Sequence, residues 1–491
     1  MRRFGLFGAV LLVLAVVYAV AWRTEPRSPH AAAQPAPQMA AVTSVTRSCP
    51  PPAPNNGAAH IAMIALPSRP AATAAAKAGF TGTGSATLSP VSATPGGSAP
   101  QPVTVSAVNT LTTVTAPAAT GTSGQSGTAV AATGQMAEGF EAEQADAAGM
   151  GVVSCTHPSS DMWFVGNGAG TGASGITLYL MNTGDLAASA NVTLLTDAGL
   201  QTGLTTAITV APHQVVTQRI ASFVKGSATL ALHVQTSSGQ VAASVWESGA
   251  SGGAWLPQAA APATRLVIPG LTVASSAARL FVTVPGATDA KLKVVAFTAQ
   301  GKFTQFGTTP LDAPSSATSS FALTSLGASA AGLLLTSNVP IVAAVLVPGQ
   351  GMGSFATAVP PITEQGVVAG NPATRGLTVG LVLTAPASAA KANVSVIGAA
   401  GSGATAGTPQ VVTVQAGHTM AVTVPRPQNG RQPFAIVITP AAGSGPIYAA
   451  RVVTSGTGGL SAPITSLLPV QNALTVISLP PVQNAYTAVL P

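Results

Sequence analysis

The chain has 491 residues, of which 47% are hydrophobic and 6% charged, and its formal net charge is +7. A chain of this length is too long to fold around one hydrophobic core, so we expect several domains. The lysines and arginines are scattered and aromatic residues make up only 4% of the chain, which excludes the clustered basic, ring-bearing surface that binds nucleic acids. The 52 glycines and 40 prolines instead indicate an all-β chain that is rich in turns.

The first segment, residues 1–22, contains one unbroken apolar run of membrane-spanning length at 4–22. Arg2 and Arg3 precede this run, which predicts a cytoplasmic amino terminus and an exported remainder. The length of the run favours a retained anchor, whereas the small-x-small triplet at 19–21 favours a cleaved signal peptide. We therefore expect a single-pass protein of the cell membrane, or a secreted protein if the segment is cleaved.

An internal repeat follows a Pro/Ala-rich spacer at 23–47. Each copy has an alternating strand, a turn of small residues and a second strand, and it closes on Gly199, Gly301 or Gly401. These glycines are about 100 residues apart, which is the size of a β-sandwich domain. The fold predicted from this pattern is all-β, with tandem antiparallel β-sandwich (immunoglobulin-like) units after one N-terminal transmembrane helix.

An earlier copy of the repeat is expected because residues 103–118 nearly overlay residues 412–427. This first unit is degenerate, and residues 81–100 within it have the low complexity of a mobile loop. Units of this kind are expected to end in a hairpin, and four of them in line would form a rod. The predicted units are 48–156, 157–262, 263–371 and 372–491.

The two cysteines, Cys49 and Cys155, both lie on the exported side of the chain. An even number of cysteines in an oxidising compartment predicts one disulfide. The alternative is two unrelated buried thiols.

A glycine run after the second cysteine has the spacing of a dinucleotide-binding loop, with Gly168, Gly170 and Ala173 in a G-x-G-x-x-A pattern. Such a loop needs a helix after it to hold the pyrophosphate. The residues that follow alternate like a strand, so we interpret the run as a glycine hairpin and expect no cofactor.

Other catalytic and metal-binding patterns are weak. Ser251 matches G-x-S-x-G by chance in a Gly/Ser loop, and no two histidines have a metal-ligand spacing. The acidic segment 138–146 is interpreted as a solvated turn. We expect no catalytic residues and no metal.

Four aromatic residues are candidates for either packing or ligand contacts: Trp163, Phe164, Trp246 and Trp255. The first two follow Cys155, and a tryptophan against a disulfide is a common core arrangement in sandwich domains. The last two flank a glycine loop, where they could stack on a sugar ring or pack at a domain junction. We favour the junction, because large aromatic side chains are usually buried.

The early "SCP" at 48–50 and the later "VVSCTHPSSDMWFVG" at 152–166 carry a family resemblance. The chain resembles an actinobacterial family of exported, membrane-anchored envelope proteins of unknown function. The resemblance implies localisation in the cell envelope and provides no catalytic residues.

Export, repetition and neutral polar surfaces together favour a non-catalytic scaffold or binding protein of the bacterial cell envelope. It would support assembly of a surface polysaccharide or glycoprotein. Its partners would be the cytoplasmic membrane, through 4–22, and a cell-wall glycan or an envelope protein. The alternatives are a hydrolase of envelope polymers and an adhesin. The hydrolase would have its site between units and needs a cleft with two carboxylates, for which the 138–146 segment is the candidate. Exposed Trp246 and Trp255 would favour the adhesin.

Overall fold

A computed structural model gives the architecture of most of the chain. It describes residues 12–18, 38–54, 59–67, 84–92, 102–116, 126–146, 151–170, 175–204, 206–250, 252–272, 278–307, 309–323, 326, 330–349, 351, 353–402, 408–427 and 432–479. Residues 12–18 are helical. Within the described residues, no helix has both the length and the apolar character needed to span a membrane. The remainder of the 4–22 run lies outside them, so its role as an anchor stays a prediction.

Residues 41–475 form one compact unit. A smaller unit comprises residues 1–40 and 476–491, and in it the strand β1 (Gln38–Ala41) pairs with the last strand of the chain, Val476–Leu479. The larger unit consists of antiparallel sheets joined by loops and three short 3-10 helices among its described residues. The all-β prediction is therefore confirmed. The 3-10 helices are Gly134–Met136, Ala221–Phe223 and Gly459–Ser461.

The described sheets of the larger unit come in four pairs, A to D, which follow one another along the chain. Pair A has the sheet orders β2-β7-β4-β5 and β6-β3-β8-β9, and side chains from both sheets share one core. Its strands are β2 (Ser44–Cys49), β3 (His60–Ile64), β4 (Ala86–Val91), β5 (Val103–Val105), β6 (Thr112–Thr115), β7 (Gly127–Thr133), β8 (Glu141–Ala145) and β9 (Val153–Ser154).

Pair B repeats this arrangement, with β10-β16-β12 in one sheet and β15-β11-β17-β18 in the other. The short strands β13 and β14 both pair with β12. The strands are β10 (Asp161–Asn167), β11 (Gly175–Met181), β12 (Ala188–Thr196), β13 (Gly199–Gln201), β14 (Ile208–Val210), β15 (Val215–Arg219), β16 (Thr229–Ser238), β17 (Ala242–Gly249) and β18 (Gly252–Leu256).

Pair C is one eight-stranded sheet, because the long strand β25 runs through both of its halves. The first part of β25 pairs with β19 and β21, and its second part pairs with β20 and β26. The strands are β19 (Ala263–Leu271), β20 (Ala278–Val284), β21 (Ala290–Thr298), β22 (Gly301–Thr304), β23 (Leu311–Ala313), β24 (Ala317–Leu323), β25 (Ala331–Val347) and β26 (Ser354–Thr357).

Pair D has the sheet orders β30-β29-β32-β27-β35 and β31-β28-β33-β34. The last strand of the chain, named above, is β36. The strands of pair D are β27 (Gly366–Asn371), β28 (Leu377–Ala385), β29 (Ala390–Gly398), β30 (Gln410–Val414), β31 (His418–Thr423), β32 (Phe434–Pro440), β33 (Tyr448–Ser455), β34 (Ile464–Pro469) and β35 (Gln471–Asn472).

The four pairs share one topology. Counted along the chain, each pair has eight strand positions, and in pair C the long strand β25 takes two of them. The first, third, fourth and sixth positions form one sheet, and the second, fifth, seventh and eighth form the other; in pair C these are the two halves of the single sheet. The fourth position is split into two short strands in pairs B and C. The segments 103–118 and 412–427, which resemble each other in sequence, contribute the fourth and fifth positions of pairs A and D. The exact domain boundaries stay a prediction, because the four pairs belong to one compact unit.

The structure corrects two predictions about local connections. The expected closing hairpins do not form, since β16 and β17 lie in different sheets, as do β32 and β33, while β25 is one continuous strand. The glycine run likewise joins β10 to β11 across two sheets, so it is not a hairpin. Alternation shows that one face of a strand is buried, but two strands can bury that face in one core without pairing.

The expected loop at 81–100 contains the strand β4, which pairs with β5 and β7 in the middle of its sheet. Small residues such as Ala86 are fully buried there. The mobile loop predicted from low complexity is therefore wrong for the described residues of this segment. Along β4, buried residues alternate with half-buried Thr and Ser, as in other strands.

The pairs are linked in a closed ring rather than a rod. Shared apolar clusters join A to B through Val153 and Tyr179, and B to C through Phe355 in the core of pair B. They also join C to D through Val452, which lies in the core of pair C. A further cluster containing Ile64 joins D back to A. The rod prediction is wrong, because the first and last pairs pack against each other.

Candidate functional site

A cavity of about 180 Å³ lies at the centre of the ring. Pair A contributes Arg47 and Glu141, and pair B contributes Ser244. Val359 lies on the link between pairs C and D, and Leu468 belongs to pair D. Ligand sites in multidomain proteins commonly lie where domains meet, so this cavity is the strongest candidate site among the described residues.

Strand β8 directs Ala142 into the core of pair A and Glu141, Glu143 and Ala145 to the opposite side, because alternate residues point to opposite sides of a strand. Glu141 lines the cavity, whereas Glu143 and Ala145 contact pair D. Both carboxyls are 2% exposed. The interpretation of this acidic segment as a solvated turn is therefore wrong. The E-A-E-Q-A alternation was the available signal, but charged residues are rarely expected on a buried face.

Glu141 is held by Arg47 from the neighbouring sheet. The Nη2 of Arg47 lies 2.5 Å from Oε1 of Glu141 and also donates to the carbonyl of Phe140 at 3.3 Å. Burial raises the pKa of Glu141 to about 7, although the charge of Arg47 opposes this rise and that of Glu143 adds to it. The site thus contains a buried ion pair in which desolvation of the carboxyl and the charge of the guanidinium shift the carboxyl pKa in opposite directions.

Glu143 reaches into pair D. Its two carboxyl oxygens accept hydrogen bonds from the backbone N–H groups of Ala369 at 3.0 Å and Gly370 at 2.8 Å, where β27 has an irregular register. Burial raises the pKa of Glu143, and the charge of Arg451 together with these two hydrogen bonds opposes the rise. One carboxyl of pair A therefore caps backbone donors of pair D.

Arg451 lies on β33, fully buried, and none of its three guanidinium nitrogens has a hydrogen-bond partner among the described residues. Burial lowers its pKa to about 10, while the charge of Glu143 raises it. Arg47 and Glu141 thus pair within pair A beside the cavity, while Glu143 of pair A and Arg451 of pair D interact between these two pairs. Sequence reasoning missed Arg47 and Arg451, since each is a lone arginine in an alternating strand.

The predicted disulfide is present. Cys49 and Cys155 are bonded with their Cα atoms 4.3 Å apart, and they close a loop with a sequence separation of 106. Both belong to the core of pair A, and Cys155 also lines the cavity. The disulfide therefore ties the first strand of pair A to the chain that leaves it.

The candidate aromatic residues lie in two places. Trp163 and Phe164 belong to the core of pair B, where Trp163 stacks on His233 with ring centroids 4.0 Å apart, and Phe164 lines the cavity beside Cys155. Trp246 and Trp255 are 6% and 8% exposed and meet edge to face at 5.0 Å.

These two tryptophans belong to the apolar cluster at the border of pairs A and B, and Trp255 also lines the cavity. The structure thus places them at a junction and shows no exposed sugar platform at either position.

Sequence reasoning also missed the carboxyl of Glu247, which is fully buried inside pair B. Its Oε2 accepts a hydrogen bond from Nδ2 of Asn167 at 3.1 Å. Burial raises the pKa of Glu247 to about 8, and hydrogen bonds from Asn167 oppose the rise. The facing residue is Gly166, whose lack of a side chain leaves room for this carboxyl.

The remaining motifs give no built site. The glycine run is followed by the strand β11, not by a helix. The G-x-S-x-G match at 249–253 runs from the end of β17 into β18, and its Ser251 lies outside the described residues. Among the described residues, no group of three His, Cys, Asp or Glu side chains could hold a metal ion.

A surface groove of about 850 Å³ adjoins the cavity. Arg47 and His157 line both spaces, so they form the wall between them. The outer side of the groove includes Asn182, Asp185 and Leu186. Asn182 fixes this loop by donating to the carbonyl of Leu186 at 2.8 Å, and the Leu186 side chain remains 82% exposed.

The sequence matches the model of a family of unknown function, DUF5719, over residues 103–425, which is about two thirds of the 491 residues. The chain belongs to this family. The match includes Glu141, Glu143 and Cys155, but it begins after Arg47 and ends before Arg451.

No curated protein is significantly similar to this chain. Among solved structures, a Streptomyces avermitilis α-L-rhamnosidase complexed with L-rhamnose matches at 10% identity and a TM-score of 0.11, over 85% of this chain and 57% of that one. The chain thus spans a little over half the length of that enzyme. A TM-score this low carries no argument about fold or function.

Proposed function

We propose that this protein is a non-catalytic scaffold or binding protein of the bacterial cell envelope, of actinobacterial type, built from tandem immunoglobulin-like sandwiches. The segment 4–22 would tether it to the cytoplasmic membrane or direct its secretion. The disulfide between Cys49 and Cys155 supports an oxidising, extracytoplasmic location, because such bonds are rare in the cytosol. The partner would be a cell-wall glycan or a glycosylated envelope protein.

The observation that carries this proposal is the groove at the border of pairs A and B together with the cavity that it adjoins. Polar side chains that can hydrogen-bond a neutral polar partner line the groove, including Thr183 and Gln240. The described lining of the cavity holds a single carboxyl, Glu141, which is already paired with Arg47. Hydrolysis of glycans by the usual two-carboxylate mechanism requires a second one nearby, so binding fits this lining better than hydrolysis.

The test is photocrosslinking in intact cells of the protein's own host. Leu186 would be replaced by p-benzoylphenylalanine in the full chain, because it is 82% exposed and lines the groove. Leu200, which is 54% exposed on β13 and does not line the groove, is the matched control in the same sheet pair.

We expect a crosslinked product in the envelope fraction for position 186 and none for position 200. Glycosidase digestion followed by mass spectrometry would identify a glycan component in that product. Equal crosslinking at both positions, or hydrolysis of envelope polymers that one point substitution abolishes, would contradict the proposal.

A further inference from the structure

The fourth strand position forms an outer edge of one sheet in every pair, and three of the four pairs restrict this edge. In pair A the edge strand β5 has three residues, and in pair B two strands of three residues, β13 and β14, take its place. In pair C the edge is also split, and Lys302 and Asp312 add charges to it. Short strands and charged side chains are common means by which proteins prevent a sheet edge from pairing with another chain.

Pair D lacks both restrictions at this position. Its edge strand β30, Gln410–Val414, is five residues long and contains no charged residue. Val412 and Val414 are buried in the core of pair D, whereas the other side chains of the strand are exposed. Among the described residues, β30 pairs with β29 alone and makes no backbone hydrogen bond outside that pairing. The outer side of β30 therefore offers extended backbone donors and acceptors to another strand.

Exposed apolar side chains lie beside this edge. Val411 of β30 is 58% exposed, and Met420 of β31, the edge strand of the facing sheet, is 42% exposed. Only residues 415–417 separate the two strands along the chain, so both side chains belong to the same side of pair D. Apolar groups beside an open sheet edge are typical of a surface that another chain covers.

The sequence of β30 is complementary to itself when two copies pair antiparallel about Val412. Val411 then lies opposite Thr413 of the second copy, and β-branched residues in such cross-strand positions stabilise a sheet. The neighbouring strand β29 carries Lys391 opposite Thr413 and Asn393 opposite Val411. The row that starts at Lys391 therefore ends at Asn393 of the second copy, so the two lysines lie in different rows and no like charges face each other.

We infer that β30 is a dimerisation edge, through which two copies of this chain pair antiparallel about Val412 and join their sheets into one. An edge of five residues is small for a protein–protein interface, so we expect a weak, reversible dimer with a Kd in the micromolar range or above. This inference is independent of the proposed binding function, because pairs A and B line the groove and β30 belongs to pair D.

The first test is sedimentation equilibrium of the full oxidised chain from about 1 µM to about 1 mM. Val411→Lys/Thr413→Lys should raise the Kd at least ten-fold, because each new lysine then faces a lysine of the second copy. Both positions are exposed, so the variant should fold. Val103→Lys/Thr104→Lys is the matched control, since it adds the same charge at two exposed positions of the edge strand β5, and it should leave the Kd unchanged.

A crosslink tests the register of the pairing. In the double variant Val411→Cys/Thr413→Cys, each new cysteine lies directly opposite a cysteine of the second copy, within the distance range of a disulfide. The native cysteines are already bonded to each other. We therefore expect a covalent dimer on a non-reducing gel. Lys391→Cys/Asn393→Cys, at exposed positions one strand further from the edge, is the matched control and should stay monomeric.

A monomer at all concentrations, or a dimer that the lysine variant on β30 retains, would overturn the inference. Association through residues 4–22 is distinguishable, because the substitutions on β30 would leave it unchanged. Equal crosslinking of the two cysteine variants would also contradict pairing through β30. Each of these results leaves the crosslinking test at Leu186 in the groove unaffected.

Discussion

Inside pair B, the absence of a side chain on one glycine leaves the space that a buried carboxyl occupies. A Cβ at position 166 would lie 2.5 Å from Oε1 of Glu247 and 2.7 Å from Cδ2 of Leu256. Neither neighbour is at the surface, since both are at most 2% exposed. Gly166, two residues before the G-x-G-x-x-A pattern, is therefore required by the packing of the core.

Gly166→Ala should lower the free energy of unfolding by about 1–3 kcal/mol, because the added methyl group overpacks a closed site. Urea unfolding of the full chain would measure this change. Gly286→Ala is the matched control, since no described atom lies within 4 Å of a Cβ at that position. Equal losses in the two variants would show that backbone flexibility, not the Glu247 carboxyl, explains the effect.

Glu247 should make stability depend on pH. Its pKa rises from 4.5 to about 8 on folding, so between these values the unfolded chain releases the proton while the folded chain keeps it. The free energy of unfolding therefore falls as pH increases through this window, by about 1.4 kcal/mol for each unit of pKa difference.

Glu247→Gln keeps the shape and removes the titration, so its free energy of unfolding should fall less between pH 4.5 and 8 than that of the wild type. Part of the slope remains, because burial also raises the pKa of Glu141 and of Glu143. Denaturant titrations at several pH values would measure both slopes. Parallel slopes in the two proteins would disprove the assignment to Glu247.

Strand β8 connects pairs A and D by charge as well as by packing. Glu143 accepts two backbone hydrogen bonds from β27 and offsets the charge of the buried Arg451. The two side chains interact through their charges without a direct hydrogen bond. Removing either group leaves the other buried charge less compensated, which destabilises the folded protein.

A double-mutant cycle tests this connection. Glu143→Gln and Arg451→Met should each destabilise the protein strongly, and the double variant should lose less than the sum of the two. The exposed pair of Lys291 and Asp312 provides the control, because its side chains are 69% and 75% exposed and Asp312→Asn should cost less than about 1 kcal/mol. Additive losses for Glu143 and Arg451 would rule out their coupling.

The sequence predicted individual strands better than their partners. Alternation located the strands on both sides of the closing glycines Gly199, Gly301 and Gly401, and it also indicated the common repeat. It could not show that β16 and β17 lie in different sheets, because both orient their apolar faces to one core. The buried acidic face of β8 was equally hidden, since its compensating charges come from distant parts of the chain: Arg47, 94 residues before Glu141, and Arg451, more than 300 residues after Glu143.

At the scale of the whole molecule, the closure of the ring depends on strands buried on both faces. On β27, Val368 belongs to the core of pair D, while Val367 and Ala369 belong to the cluster shared with pair A. Continuous apolar runs of this kind are typical of two-sided burial, and the run along β27 is the signal that argues against a rod. Small side chains such as alanine also let neighbouring sheets approach closely.

Closure between pairs A and D can be tested by an engineered crosslink. Leu111 of pair A forms a parallel β-bridge with Ala399 of pair D, and the N–H of Ala400 donates to the carbonyl of Leu111 at 2.8 Å. Bridged residues have Cα atoms about 4.8 Å apart, which is within the range of a disulfide. The double variant Leu111→Cys/Ala399→Cys should therefore form a second disulfide in the oxidised full chain.

Peptide mapping under non-reducing conditions would identify this bond beside the native one between Cys49 and Cys155. Leu111→Cys combined with Leu200→Cys is the control, because position 200 is exposed on pair B and should remain unlinked. A linear array of four units would keep positions 111 and 399 apart, so failure of this pair to crosslink would contradict the closed ring and the shared central cavity.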